Sequence, residues 1–432
     1  MKKIKMPKQI GWLIPGLRVK RWFALILVGA LLITFGVLIL FDIKPVFYTM
    51  QFISKIANTI STEWLAFGII MIGMAFFFKG WRMTNLSMLD LPDNRNSDIL
   101  LENLYRKRKL SRGPRIVAVG GGTGLSMLLS GIKNITNNIT AVVSVGDDGG
   151  SSGRLRESLG ILPPGDIRHC MTALADDEDL VTKLFKFRFD NGDELEGHSF
   201  GNLFLTAMCE ITGDMASAVK ASANVISLRG RVLPATLDDM KLVAQMKDGS
   251  IVHGESAIPE AHGHIEKLFS EPADCKALPE VIQAIRDAEL IILGPGSLYT
   301  SVIPNLLIKE ISEEISKSNA KKIYVCNIMT QPGETDGYKV SDHLKALLKH
   351  ANVEHLVDAV LVNNNLPEQP SEKYKEQGQF PVVLDTEEIK KLGINICANN
   401  LVEPNKDGLI RHSAGRVARA VYYWFRKEQK NG

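Results

Sequence analysis

The sequence predicts an α/β chain: a Rossmann-like, mostly parallel sheet with helices on both faces, preceded by an N-terminal two-helix transmembrane hairpin. Three observations carry this. From Pro114 onward, short β-rich apolar runs alternate with helical stretches, the pattern of a parallel sheet covered on both sides. Polar, glycine-rich loops follow those runs, where open sheets of this kind take ligands. Two long apolar stretches stand ahead of the whole.

The hairpin comes first in the chain. "WFALILVGALLITFGVLILF" (22–41) is twenty residues without a charge, enough to span a bilayer core as a helix. A second run, "ISTEWLAFGIIMIGMAFFF" (60–78), is weaker because Glu63 sits near its start. Trp22, Trp64 and Trp81 lie near the ends, where indoles favour the interface. Lys2, Lys3, Lys5, Lys8, Arg18, Lys20 and Arg21 precede the first run, and Lys79, Arg82, Arg95 and Arg106 to Lys109 follow the second. The connector carries only Lys44 and Lys55, so both flanks are expected in the cytoplasm with a short external loop between. A cleaved signal peptide fits less well: the first run is too long and a second follows. The expectation is therefore a multi-pass cell-membrane protein with both termini and the main domain in the cytoplasm.

Residues 1–82 are read as the anchor, 83–112 as a basic linker and 113–432 as the main domain. "RKRKLSRGPR" within the linker reads as a topology signal, with anionic lipid or nucleic acid the alternatives. A helix is expected around "SDILLENLYRKRKL". The composition of the 432 residues, 45% hydrophobic and 23% charged, is that of a globular protein. A net charge of +3 is too small to imply nucleic acid, and none is expected as a partner. Five scattered cysteines without a CxxC spacing argue against a disulfide framework or a zinc site and are expected to be buried thiols.

The strands follow in order. "RIVAVG" (115–120), "ITAVVSVG" (139–146), "AELIILG" (288–294), "KIYVCNI" (322–328), "DAVLVNN" (358–364) and "PVVLD" (381–385) are the expected strands. The first ends in Gly120-Gly121-Gly122-Thr123-Gly124, and a helix starts at about Gly124. Glycines allow positive φ and close approach, and a helix start offers free N–H groups to phosphate. No Lys-Ser/Thr follows, so the loop is not a P-loop, and Leu125 stands where a dinucleotide fingerprint needs its third glycine. A ligand-free tight turn is the plain alternative.

The second loop, "VGDDGGSSGRLRESLG", puts Asp147 and Asp148 at a strand end. An acid there suits a ribose diol or a divalent cation beside a diphosphate. Ser151 and Ser152 add hydroxyls and Arg154 and Arg156 positive charge; a capped turn is the alternative. The third loop, "LGPGSLYTSVIPNLL" (293–307), repeats strand, glycines, hydroxyls and helix with Gly294, Gly296, Ser297, Thr300 and Ser301. Two anion loops in one sheet fit a ligand with two phosphates, or one phosphate with a bulky substituent. Asp166 and Arg168 in "LPPGDIRHC", Asn327, Thr330, Gln331, Glu334 and Thr335 in "NIMTQPGETDGY", and Arg229 and Arg231 in "SLRGRVLPAT" are further candidates to close the site. "GHSFG" (197–201) matches a nucleophile elbow, but "DNGDELE" before it is no buried strand. His198 and Asn202 are expected to line the pocket or cap the next helix.

Taken together, "VGGGTGLS", "VGDDGGSSGRLRESLGILPPGDIRHCMTALAD", "GHSFGNLFL", "LGPGSLYTSVIPNLL" and "NIMTQPGETDGY" resemble the bacterial gluconeogenesis factor family (YvcK-like), itself similar to the CofD-type 2-phospho-L-lactate transferases. The resemblance covers residues from about 113 to 425. It implies a Rossmann-like sheet, binding of UDP-sugars such as UDP-N-acetylglucosamine and UDP-glucose, and a role in cell shape and envelope supply during gluconeogenic growth. It carries Gly121 to Gly124 and the Gly294-to-Ser301 loop over to the phosphate-contacting positions, and Asp148 to the acid after the second strand. The transferases have a shorter acidic loop with a bulky aromatic residue there, where this chain has "DDGGSSGRLR". The expectation is a regulatory binding protein. A phospho-lactyl-type transferase acting on a deazaflavin or related acceptor, with Asp148 on a magnesium ion, is the alternative. No cofactor is required by the first reading; magnesium is compatible with it, as is a homo-oligomer.

Overall fold

The computed structural model describes residues 44–57, positions 64, 71, 75 and 79, and residues 109–431 apart from 177, 192–194, 366–373, 375 and 404–409. The chain divides into two compact units, Met1–Arg106 and Lys107–Gly432. Residues 22–41 lie outside the described residues, as do most of 60–78 and the helix expected before Leu110. Among the described residues no helix is long and apolar enough to cross a membrane. In the first unit the connector expected as a short loop contains a helix, Lys44–Ala57.

The second unit opens with β1 (Ile116–Gly120), α1 (Gly122–Ile132) and β2 (Ile139–Val143). Five helices follow: α2 (Gly150–Leu159), α3 (Gly165–Leu174), α4 (Glu178–Lys186), α5 (Phe200–Thr212) and α6 (Met215–Val225). Then come β3 (Arg231–Pro234), β4 (Lys241–Met246), β5 (Ile251–His253), the short α7 (Ala257–Glu260) and β6 (Ile265–Glu271). The chain continues through α8 (Pro279–Asp287), β7 (Leu290–Leu293), a π-helical turn Leu298–Val302 running into α9 (Ile303–Leu307), and α10 (Lys309–Lys317). It ends with β8 (Lys321–Val325), α11 (Val340–Ala351), β9 (Ala359–Asn363), α12 (Thr386–Lys391), β10 (Asn395–Asn399) and α13 (Ala414–Asn431).

Seven strands form one parallel sheet in the order β10-β9-β8-β7-β1-β2-β3. Every residue of β1, β2 and β7 is buried, as expected for strands covered on both faces, whereas the edge strands β3 and β10 are partly exposed. Each fully buried Leu or Ile there contributes about 1.5–3 kcal/mol relative to exposure. α1 packs against α3 and α13. The α1–α13 crossing needs Gly131, because a Cβ at that position would collide with the Ala414 carbonyl. A second sheet, β5-β4-β6, is antiparallel and was not expected. "PVVLD" joins no sheet: Pro381 and Val383 make only isolated bridges to Met329 and Lys339. All five thiols are free; four are buried as expected, and Cys397 is only half-buried.

Candidate ligand site at the strand switch point

The order of the sheet reverses at β1. The chain leaves β1 for β2 on one side and returns as β7 on the other, so the carboxyl ends of β1 and β7 flank a topological switch point. With Val119 opposite Leu293, both glycine loops emerge side by side on one rim. There they border a cleft of about 770 Å³, within the range of small-molecule sites.

Each loop has a local reason for its glycines. Gly122 and Gly294 take φ of 61° and 70°, the left-handed region that favours glycine. A Cβ on Gly124 would lie 2.5 Å from the Pro295 carbonyl oxygen and 2.8 Å from Gly296 Cα. What the first loop approaches so closely at Gly124 is therefore the backbone of the third loop. Asn305 holds the pair, donating from Nδ2 to the carbonyls of Gly120 (3.2 Å) and Ser301 (2.9 Å). Asn327 donates to the Gly296 carbonyl at 2.8 Å, and Gln331 to Ser297 Oγ at 2.7 Å.

The main-chain donors are not all bare. Asp166, at the start of α3, accepts from the Gly122 N–H, and Glu334 accepts from the Tyr299 N–H at 3.1 Å and the Thr300 hydroxyl at 3.3 Å. The expected pair of open helix mouths is thus corrected: the protein's own carboxyl groups engage part of each. Burial, reinforced by Asp147, raises Asp166 to about 7. Burial raises Glu334 to about 7 against the pull of its hydrogen bonds. Burial followed by Asp147 and Asp166 raises Glu255 to about 8, and burial raises Asp147. Asp166, Glu334 and Glu255 are thus pushed up to near neutrality, and Asp147 is held above the usual carboxylate range.

Of the residues singled out from the sequence, Gly121, Gly122, Thr123, Gly124, Asp147, Asp166, Gly296, Ser297, Thr300, Ser301, Asn327, Thr330 and Gln331 line the cleft. Others serve elsewhere. Asp148 faces the turn before α7: its Oδ2 accepts from the Glu255 N–H at 2.9 Å, and its Oδ1 from the Ser256 N–H at 2.9 Å and hydroxyl at 2.5 Å. Asp147, one residue earlier, is the acid at the cleft. Ser151 and His198 Nδ1 share a hydrogen bond of 2.9 Å, and Asn202 donates to Ser151 at 3.0 Å. Ser152 bonds Asp147 behind the cleft wall, Gly294 shapes its loop, and Thr335 accepts from the Gln331 N–H at 2.9 Å. Arg154 donates to the Glu196 carbonyl and Arg168 to that of Phe185. Ser199, the centre of "GHSFG", caps α5 by accepting from the Asn202 N–H at 3.3 Å. Arg231 pairs with Thr140 near the start of β2, at the opposite end of the sheet from the cleft, so it does not close the site; Arg229 is bound to Asp176.

Sequence reasoning missed the far wall. Met127, Glu255, Ile328, Met329, Tyr374, Gln377, Gln379, Ile410, Arg411 and His412 also line the cleft. Tyr374 and Ile410 are clasped together, the tyrosine hydroxyl accepting from the Ile410 N–H at 2.6 Å. Burial lowers His412 to about 4, so its ring is neutral, and among the described residues its buried Nε2 has no partner. Arg411 and His412 lie just before α13, in a stretch with only the single glycines Gly408 and Gly415 and no run of them after a strand to mark it.

The model of the family described as "2-phospho-L-lactate transferase CofD" matches residues 116–402. The chain is similar to the gluconeogenesis factor of Bacillus subtilis, at 49% identity over 310 residues, 72% of this chain and 97% of that one. A relative from Nostoc sp. is 47% identical over 419 residues, 96% of this chain and 92% of its own. A crystal structure of a Bacillus halodurans protein aligns with a TM-score of 0.70 at 47% identity, covering 72% of this chain and all of that one. The chain belongs to the CofD family, among the gluconeogenesis factors.

Proposed function

We propose that this chain is a membrane-anchored, cytoplasmic UDP-sugar-binding regulator that serves cell shape and envelope precursor supply during gluconeogenic growth. The observation that carries the binding reading is the pair of glycine loops locked together at the β1/β7 switch point, facing Arg411 across one cleft. The diphosphate lies along Gly121 to Gly124 and Gly296 to Ser301, with Arg411 offsetting its charge. The apolar wall of Met329, Tyr374 and Ile410 and the amides of Gln377 and Gln379 take the base or sugar. Uncharged residues 22–41 and the cations around them support the anchor.

A diphosphate beside Asp147, Asp166 and Glu255 needs those acids protonated or a cation between. Among the described residues no three acidic, histidine or cysteine side chains are arranged to hold a metal alone. A magnesium ion would therefore enter with the nucleotide. Thermal unfolding of the Lys107–Gly432 unit with UDP-N-acetylglucosamine, UDP-glucose and UDP, with and without magnesium, tests the reading. Binding at a hundred times Kd stabilises by about 2.7 kcal/mol, so a clear rise in Tm is expected; no rise with any of the three removes the proposal.

Asp147 and Asp166 in the cleft also support a second reading, a transferase of the phospho-lactyl type that positions a magnesium-bound phosphate. Release of nucleotide from an activated phospho-lactate in the presence of a deazaflavin acceptor, lost in Asp147→Asn, would favour it.

A further inference from the structure

The helix α13 buries one face and charges the other. Val417, Val421, Trp424 and Phe425 are buried on the side that packs against α1 and β8. The opposite face carries Arg416, Arg419, Tyr423, Arg426, Lys427 and Lys430, three or four residues apart, as a stripe about 21 Å long. Tyr423 is 76% exposed, and the stripe holds no acid. Residues 414–431 contain a single acid, Glu428, and upstream Glu403 and Asp407 are matched by Lys406 and Arg411. The neighbouring elements add none: α1 is uncharged, β8 contributes Lys321 and Lys322, and β10, whose Cys397 lies near Lys427, is uncharged. Among the described residues none of the five cations is paired with a carboxylate, and Arg426 donates only to the Gln429 side chain at 3.4 Å. Lys430, in the last turn, has a local reason in the helix dipole. Arg416 lies in the first turn, where the dipole disfavours a cation, and Arg419 sets a like charge three residues on. The folded unit gains nothing from that arrangement, which points to an anionic surface outside it.

We propose that the outer stripe of α13 rests on an anionic lipid bilayer, its five cations among the headgroups and Tyr423 at their level. Each cation held near anionic lipid strengthens such binding by about fivefold, and a ring with an apolar body and a polar tip suits the interface. Charge complementarity selects this occupant over a second copy, because a two-fold pairing of the same face would set five cations against their likes. It favours a bilayer over nucleic acid on shape. α13 is packed along α1 and presents a row of charges on its flank, which fits a flat headgroup layer better than the groove of a duplex. The net charge of the chain, +3, points the same way. The stripe belongs to the Lys107–Gly432 unit itself and needs neither the N-terminal anchor nor the cleft.

Lysine acetylation of the full chain, read by mass spectrometry in vesicles of phosphatidylcholine with and without phosphatidylglycerol, tests this, with a short DNA duplex in the absence of lipid as the comparison. An N-terminal anchor alone would bring the protein to both vesicle types equally, so the difference between them reports the stripe. Lys427 and Lys430 are expected to react about fivefold or more slowly only with phosphatidylglycerol, and high salt should restore their rates. Lys241, exposed on β4, should react alike in both. Arg416→Glu/Arg419→Glu keeps both reporting lysines and is expected to remove their protection. Its Tm should hold or rise, because acids suit that end of the helix, so the loss of protection is separable from a loss of folding. Equal rates in the two vesicle types, or protection that the double variant keeps, overturns the proposal. Protection by the duplex and not by phosphatidylglycerol overturns it in favour of nucleic acid, and protection without either that grows with protein concentration overturns it in favour of a second copy.

Discussion

At Gly124 the spacing of two loops is decided by a single missing carbon. Gly124→Ala would drive a methyl group into the Pro295–Gly296 backbone, so a loss of about 1–3 kcal/mol in stability is expected, measured by denaturant unfolding. Arg411→Ala removes the cation facing the loops and is expected to leave stability within about 0.5 kcal/mol while weakening UDP-sugar binding roughly tenfold. Titration of Glu255 gives a third test at this scale. Its folded pKa, about 8, lies above its ordinary value, so it favours folding while protonated and that benefit is lost as pH rises through 8. Buried histidines such as His169 and His412, lowered to about 4, work in the opposite sense at lower pH, so a variant comparison isolates the acid. Glu255→Gln is expected to gain on the order of 2 kcal/mol relative to the parent between about pH 5 and about pH 8; a constant difference across that range would contradict the burial argument. The glycine loops were legible in sequence because positive φ and close approach permit few other residues. The choice between Asp147 and Asp148 was not, because adjacent side chains point apart and only the fold shows which meets the cleft.

Among the elements, legibility followed burial. β1, β2, β7, β8 and β9 are near-continuous apolar runs, and each was read within a few residues. β10, "NICAN", is a half-exposed edge strand with little apolar signal, and "PVVLD" has that signal without a neighbour to pair with. The short β4–β6 sheet was missed because its strands alternate with charged and turn residues. α2 shows how a helix next to the site is fixed. Arg156, buried, donates to Asp239 at 2.8 Å and 2.5 Å, to the Met240 carbonyl at 2.7 Å and to the Asp147 carbonyl at 3.3 Å. Arg156→Met is expected to cost about 2–3 kcal/mol, because buried carbonyls lose their donor, and to loosen the Asp147 loop. Hydrogen exchange across 147–159 checks this, and unchanged protection would contradict the arginine's hold on the Asp147 loop.

On the scale of the whole molecule, the anchor and the binding unit are separable expectations. The full chain is expected in the membrane fraction of cells and resistant to extraction by high salt, whereas a chain starting at Lys107 is expected to lose that resistance. A full chain released by salt would contradict the anchor and leave the cleft untouched. The far wall of the cleft was the least legible part of the site, since Tyr374, Ile410, Arg411 and His412 come together through the fold from separate parts of the sequence. Isothermal calorimetry of UDP-N-acetylglucosamine and UDP-glucose against the Lys107–Gly432 unit, with magnesium present, tests the nucleotide-sugar site most directly. Saturable heat at one site is expected, strongly reduced in both Gly124→Ala and Arg411→Ala. Absence of heat with either ligand, or binding that both substitutions leave intact, would contradict the assignment of the β1/β7 rim as a nucleotide-sugar site.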